Sequence, residues 1–179
     1  IDAADLDGDD DTDLVFVASA FDRVAVLRQG PAESVSVSGV NASLAASEGI
    51  DLVRGSLVLE GAQIDTGGAM RVGRDARVTG EGQVIGTVFN AGVVAPRPSI
   101  VVAGSYAQFD QAAPSLRGTL DVLLPPASPD PLIVSEVAAL AGDVRVEADS
   151  GVVLGPQPRR LVTAQSFDPA FDRFTSALL

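Results

Sequence analysis

The chain of 179 residues contains no cysteine, no histidine, no lysine and no tryptophan. Without histidine and cysteine, Ser-His-Asp and Cys-His nucleophiles are excluded, as are a disulfide framework and the common zinc sites. Aromatic residues make up 4%, with a single tyrosine, Tyr106, which leaves little flat apolar surface for stacking on sugars. Long apolar runs are missing too. Runs such as Ser99–Ala103 and Leu120–Leu124 fall far short of the ~20 residues needed to span a bilayer as a helix. Positive charge is scarce: 12 Lys and Arg, all of them Arg, stand against 24 Asp and Glu, a formal net charge of -12. Phosphate backbones need Lys and Arg to displace counterions, so nucleic acid is an unsuitable partner. Adsorption to an anionic membrane is disfavoured for the same reason.

What is present suits a folded chain. A hydrophobic fraction of 46% and a charged fraction of 20% allow a core in one or two domains. The chain opens at Ile1 in the middle of a pattern, with neither an initiator methionine nor a visible signal peptide. We expect a mature product or an excised fragment. Composition divides it into residues 1–30, 31–155 and 156–179. In the first region Leu14-Val15-Phe16-Val17 and Val24-Ala25-Val26-Leu27 flank a short polar turn and predict a β-hairpin.

Ahead of that hairpin runs Asp5-Leu6-Asp7-Gly8-Asp9-Asp10-Asp11-Thr12-Asp13. Carboxylates at alternate positions converge when such a loop curls, and unscreened they repel one another strongly. Calcium takes 6–8 hard oxygen ligands and would relieve that repulsion. An EF-hand is excluded, because its sixth loop position is Asp10 rather than Gly and its twelfth is Phe16 rather than Glu. An acidic run of this kind is also compatible with a solvated tail. From Ala4 to Leu27 the sequence resembles the FG-GAP or VCBS repeat of bacterial surface proteins and integrin-type propellers. The resemblance implies that the side chains of Asp5, Asp7, Asp9 and Asp13 bind Ca²⁺, with the carbonyl of Asp11. No second aspartate loop occurs, so a propeller of 4–8 blades is not expected.

The second region is a succession of short alternations, among them Val35-Ser36-Val37-Ser38, Ser56-Leu57-Val58-Leu59, Thr119-Leu120-Asp121-Val122 and Asp143-Val144-Arg145-Val146. Period two sends one face inward and the other out. Helical periodicity is absent, apart from a short stretch around Ala42–Ile50. Glycines punctuate the region more often than the ~8–12-residue strand spacing of a sandwich allows. Dense bends between very short strands suit a solenoid. The segments Asn90-Ala91-Gly92 and Gly104-Ser105-Tyr106-Ala107-Gln108, with the strands around them, resemble autotransporter passengers and related bacterial adhesins. That resemblance implies a right-handed parallel β-helix; the sequence departs from its pattern at Pro96-Arg97-Pro98-Ser99. Asn90 either bonds inside a turn or is a plain turn residue. In the third region Phe167, Phe171 and Phe174 suit a cap over the end of the stack.

The expected fold is therefore all-β: a right-handed parallel β-helix (a β-solenoid), preceded by a calcium-loop hairpin at 1–30 and followed by a capping segment at 156–179. The expected function is a non-catalytic structural or adhesive module, calcium-stabilised and located extracellularly or at the bacterial cell surface. Its partners would be calcium, cell-surface or matrix components, or further copies of itself. A self-assembling filament subunit is one alternative. A region of a polysaccharide-active enzyme is another, with Asp65, Asp75 and Glu81 as carboxylates near Arg71, Arg74 and Arg77. These charges also fit the solvated face of alternating strands.

Overall fold

The computed structural model describes residues 2–4, 13–18, 23–27, 29–30, 34–38, 42–124, 130–148 and 159–168, with side-chain surroundings from Ser34 onward. Among these residues there are strands, turns and bends but no helix, including in the stretch from Ala42 to Ile50.

Two sheets form. In the first, β1 (Asp2–Ala4), β2 (Asp13–Ala18) and β3 (Arg23–Leu27) are antiparallel neighbours in that order. Leu14 faces Leu27 and Val17 faces Val24, so the two β-branched runs pair as their composition predicts. The second sheet begins with β4 (Gln29–Gly30), which pairs antiparallel with β5 (Ser34–Ser38). Every other pairing between its strands is parallel. These strands are β6 (Ser43–Ala45), the long extended run β7 (Ile50–Asn90), β8 (Val93–Ala103), β9 (Tyr106–Ala107), β10 (Thr119–Leu124), β11 (Leu132–Ala139), β12 (Asp143–Ala148) and β13 (Val162–Asp168).

The parallel pairings fall into three ladders. In the first, Val78 of β7 pairs with Val94, Val94 with Leu120, and Leu120 with Val144. In the second, Val84 pairs with Val102, Val102 with Val134, and Val134 with Ala164. In the third, Val88 pairs with Tyr106, Tyr106 with Ala138, and Ala138 with Phe167. The chain visits the three in turn, then repeats one strand spacing higher. Earlier rows fit the same plan: Leu57 lies beside Val35 in the first ladder and Ile64 beside Leu44 in the second.

Alternation explains why these residues stack. In β10 every second residue, Leu120, Val122 and Leu124, is buried, and its neighbours are half-exposed. The inward set of all three ladders merges into one core containing Leu59, Ile64, Met70, Val84, Ile100, Val102, Leu120 and Leu132. Each such side chain contributes about 1.5–3 kcal/mol on burial, and that burial rather than hydrogen-bond strength fixes the register. The region 156–179 supplies one more strand of the parallel stack, β13. There Phe167 is 49% exposed. Phe171 and Phe174 lie outside the described residues.

Candidate functional site

The acidic loop comes first. Asp5, Asp7, Asp9 and Asp11 lie outside the described residues, and Asp13 opens β2 with only its backbone described. What the fold does supply is the base of the loop. Ala4, the last residue of β1, is the cross-strand partner of Asp13. The segment between them is thus held at both ends by one antiparallel pair.

The second feature is polar and internal. Asn90, Tyr106 and Gln108 are buried in the stack. The Asn90 side-chain amide donates to Tyr106 Oη at 2.9 Å and to the Thr119 carbonyl at 3.1 Å. Its Oδ1 accepts from the Gly92 N–H at 3.0 Å. Gln108 stands one row above Asn90 and acts similarly, donating from Nε2 to the carbonyls of Gly118 and Asp143 at 3.0 and 2.6 Å. Among the described residues Gln108 Oε1 has no partner. Burial pushes the Tyr106 hydroxyl well above the ordinary tyrosine range, and the Asn90 hydrogen bond offsets only part of that.

Glycine makes this corner passable. A Cβ on Gly118 would lie 2.3 Å from the Asn90 carbonyl oxygen, and one on Gly142 only 2.0 Å from that of Gly118. Nothing bulkier fits where successive rows turn over one another. Between Gln108 and Gly118 the chain leaves the stack as a loop. A bridge between Phe109 and Arg117 closes it, and Asp110 Oδ1, accepting from the N–H groups of Ala112 and Ala113, holds it in shape.

The third feature is an open trough of about 510 Å³ at the corner between the first and second ladders, lined by residues that include Ser43, Gly61, Gln63, Glu81, Gly82 and Gln83. A neighbouring depression shares Gly61 and Glu81 and adds Glu60 and Arg97. The floor is glycine and alanine. Gln63 sits beside Ser43 on the outward face of the second ladder, and Gln83 faces outward beside Val101. Among the described residues, no hydrogen bond or ion pair engages the side chains of Ser43, Glu60, Gln63, Glu81 or Gln83. Arg97, by contrast, is engaged by its neighbours. Its Nη1 donates to the carbonyls of Pro96 and Asp121, both at 2.8 Å, and its Nη2 lies 3.5 Å from Asp121 Oδ2. The same carboxylate oxygen accepts from Arg77 at 2.8 Å. Sequence reading passed over the trough glutamines, although a signal exists: Glu60-Gly61-Ala62-Gln63-Ile64 returns as Glu81-Gly82-Gln83-Val84.

The carboxylates weighed as a catalytic set stand at three different turns. Asp65 ends a strand of the second ladder and caps the Gly67 N–H at 3.0 Å. Asp75 is exposed between the third and first ladders, and Glu81 lines the trough. Arg71 pairs with Asp51 at 2.9 Å rather than with any of the three. Among the described residues no three acidic, histidine or cysteine side chains gather as a metal would require. No protein-family model matches the chain, and neither a curated protein nor a solved structure is similar to it.

Proposed function

We propose that the chain is a right-handed parallel β-helix that serves as an extracellular, non-catalytic structural or adhesive module, stiffened by calcium at its N-terminal loop. The observation that carries this reading is the set of three parallel ladders, each repeating through successive rows around one core. A stack of this kind resists bending and presents a long side wall, which is what a spacer or adhesive stalk requires. The pairing of Ala4 with Asp13 supports the calcium part, since it anchors both ends of the acidic segment. Asp5, Asp7, Asp9 and Asp13 would supply carboxylate oxygens and Asp11 its carbonyl, a hard-oxygen set suited to Ca²⁺. The bound ion would neutralise the clustered negative charge.

The test is calcium dependence. Thermal unfolding and limited proteolysis are compared in millimolar Ca²⁺ and in chelator. A ligand present at a hundred times its Kd stabilises the state it binds by ~2.7 kcal/mol. Chelation should therefore open cleavage sites near residues 5–13 while leaving the core of the stack protected. Identical protection in both conditions rules out the calcium site.

One observation favours a second reading, end-to-end self-association. Inward-facing Leu44, Ile50 and Leu52 at one end, and Leu161, Val162 and Ala164 at the other, are only partly buried. Sedimentation velocity across a hundredfold concentration range tests it; a constant sedimentation coefficient excludes it.

A further inference from the structure

We propose that the trough between the first and second ladders binds an extended, neutral polysaccharide chain laid along the stack axis. The proposal deepens the adhesive reading and rests on it, because it assigns that module a ligand class.

The lining decides the chemistry. Anionic ligands find little positive charge: among the described residues lining the trough and the depression beside it, Arg97 is the only cation, and the Pro96 and Asp121 carbonyls and the Asp121 carboxylate already engage its guanidinium. Glu60 and Glu81 add negative charge. Apolar ligands find only shallow surface, since Leu59 and Ala62 are each only 1% exposed, Val58 and Val101 are half-buried, and the rest of the floor is glycine and alanine. A metal would find two carboxylates at most. What remains is a row of amides, carboxylates and one hydroxyl with unspent donors and acceptors, the complement of a chain of hydroxyl groups.

Spacing points the same way. The lining comes from four successive rows, at 42–43, 61–63, 81–83 and 99–101. Three strand spacings of ~4.8 Å give a trough about 14 Å long. Gln63 and Gln83 present like groups in successive turns of chain, an interval close to one sugar unit in an extended glycan. An extended peptide repeats its same-side groups every ~6.6 Å and would fall out of step. The trough has no aromatic platform, so recognition would rest on hydrogen bonds. Affinity per site would be low, and many copies on one surface would be needed for firm attachment.

The test uses the full chain, ¹⁵N-labelled and calcium-loaded, titrated with cellohexaose, xylohexaose and chitohexaose. Maltohexaose is the curved-chain control and an oligogalacturonate the anionic one. We expect saturable amide shifts at Gly61, Gln63, Gly82 and Gln83 with at least one extended neutral probe. The anionic probe should bind at least tenfold more weakly. The double variant Gln63→Ala/Gln83→Ala should weaken binding at least tenfold at an unchanged melting temperature, whereas Gln111→Ala, on the distant loop, should bind as the parent does. Absence of saturable shifts at these residues, or undiminished binding by the double variant, overturns the trough while leaving the calcium-stiffened stack standing. Cleavage of a bound probe has the opposite meaning: it supports the trough and overturns the non-catalytic reading.

Discussion

Two corners of this stack are built from similar residues and end up as opposites. At the corner leading into the first ladder, glycines recur row upon row, and the amides of Asn90 and Gln108 turn inward to bind the backbone of the row above. At the corner between the first and second ladders, Gly61, Gly80 and Gly82 also lie close together, but Gln63 and Gln83 face outward and a trough is left. The lesson concerns amides beside glycine turns. Directed inward, they replace backbone hydrogen bonds lost at the bend and seal the corner. Directed outward, they leave the corner open to solvent and to ligands.

Glycine substitutions should break the comparison most sharply. At Gly118 a methyl group meets the Asn90 carbonyl oxygen at 2.3 Å, a backbone atom that cannot step aside. Gly118→Ala should cost ~3 kcal/mol or more through forced displacement of two rows. At Gly61 nothing lies within 4 Å of the added methyl, but φ is +70°. Gly61→Ala should cost only ~1–2 kcal/mol, the penalty of a left-handed backbone. Gly68 has neither problem, so Gly68→Ala should lie within ~0.5 kcal/mol of the parent. Chemical denaturation of the three variants would establish or reverse that order.

The two buried amides rank next. Asn90 satisfies both ends of its side chain, with donors on Tyr106 and Thr119 and its oxygen on Gly92. Asn90→Leu strands each of those partners and should cost ~2–4 kcal/mol. Gln108 has an oxygen that no described residue binds, so Gln108→Met, of similar length, gives up fewer bonds and removes one unmet acceptor. It should cost roughly half as much. Equal losses for the two variants in urea melts would show that the corner does not depend on amide satisfaction.

Much of this was legible in the sequence, and the limits have physical causes. The β-branched runs at 14–17 and 24–27 announced their own pairing, and alternation marked Leu120, Val122, Val144 and Val146 as inward. Period two, however, reports only a face. It cannot say whether a residue at a bend, such as Asn90, points into the corner or away from it, so both readings of Asn90 stood until the hydrogen bonds of the folded chain chose one. The repeat itself was obscured by excursions at the corners. Arg77 reaches its partner Val93 after sixteen residues, while Val93 reaches Thr119 only after twenty-six, because the loop 109–117 intervenes. The Pro96-Arg97-Pro98-Ser99 turn shifts the register between Gly80 and Gly82. Gln63 and Gln83 were unreadable as a pair, since residues twenty apart become neighbours only when the rows stack.

Tyr106 offers a pH test of the sealed corner. It is the only tyrosine, and lysine is absent, so above pH 9 few other side chains titrate. Burial raises its pKa in the folded state, while in the unfolded chain it ionises near ~10. The folded form therefore holds its proton where the unfolded form has lost it. The stabilisation is fully present below about pH 10 and declines above that at up to ~1.4 kcal/mol per pH unit. Tyr106→Phe should remove this slope at a cost of ~1 kcal/mol at neutral pH. A variant that keeps the parent's alkaline slope would show that the hydroxyl titrates in contact with water.

The smallest expected effect tests whether the open corner is held from outside. Asp121, with its side chain 16% exposed, lies between Arg77 and Arg97 at 2.8 and 3.5 Å. Arg97 belongs to the turn above the trough, and it also donates to the Asp121 main-chain carbonyl. The carboxylate thus ties a turn that no inward amide secures to a strand of the first ladder. Asp121→Asn leaves two guanidinium groups facing each other without their counter-charge, and should cost ~0.5–1 kcal/mol at low salt. The main-chain bond to Arg97 survives the substitution, which keeps the loss small. Because Arg77 is 39% exposed, salt should screen part of the interaction, and the difference from the parent should shrink in 1 M NaCl, where the Debye length is ~3 Å. Arg97→Lys should be the more damaging change despite its conserved charge, since an ammonium cannot reproduce the planar fork that reaches Pro96 and Asp121 together. If Asp121→Asn proves costlier than Asn90→Leu, the outer clamp, rather than the inner amides, is what holds the rows in register.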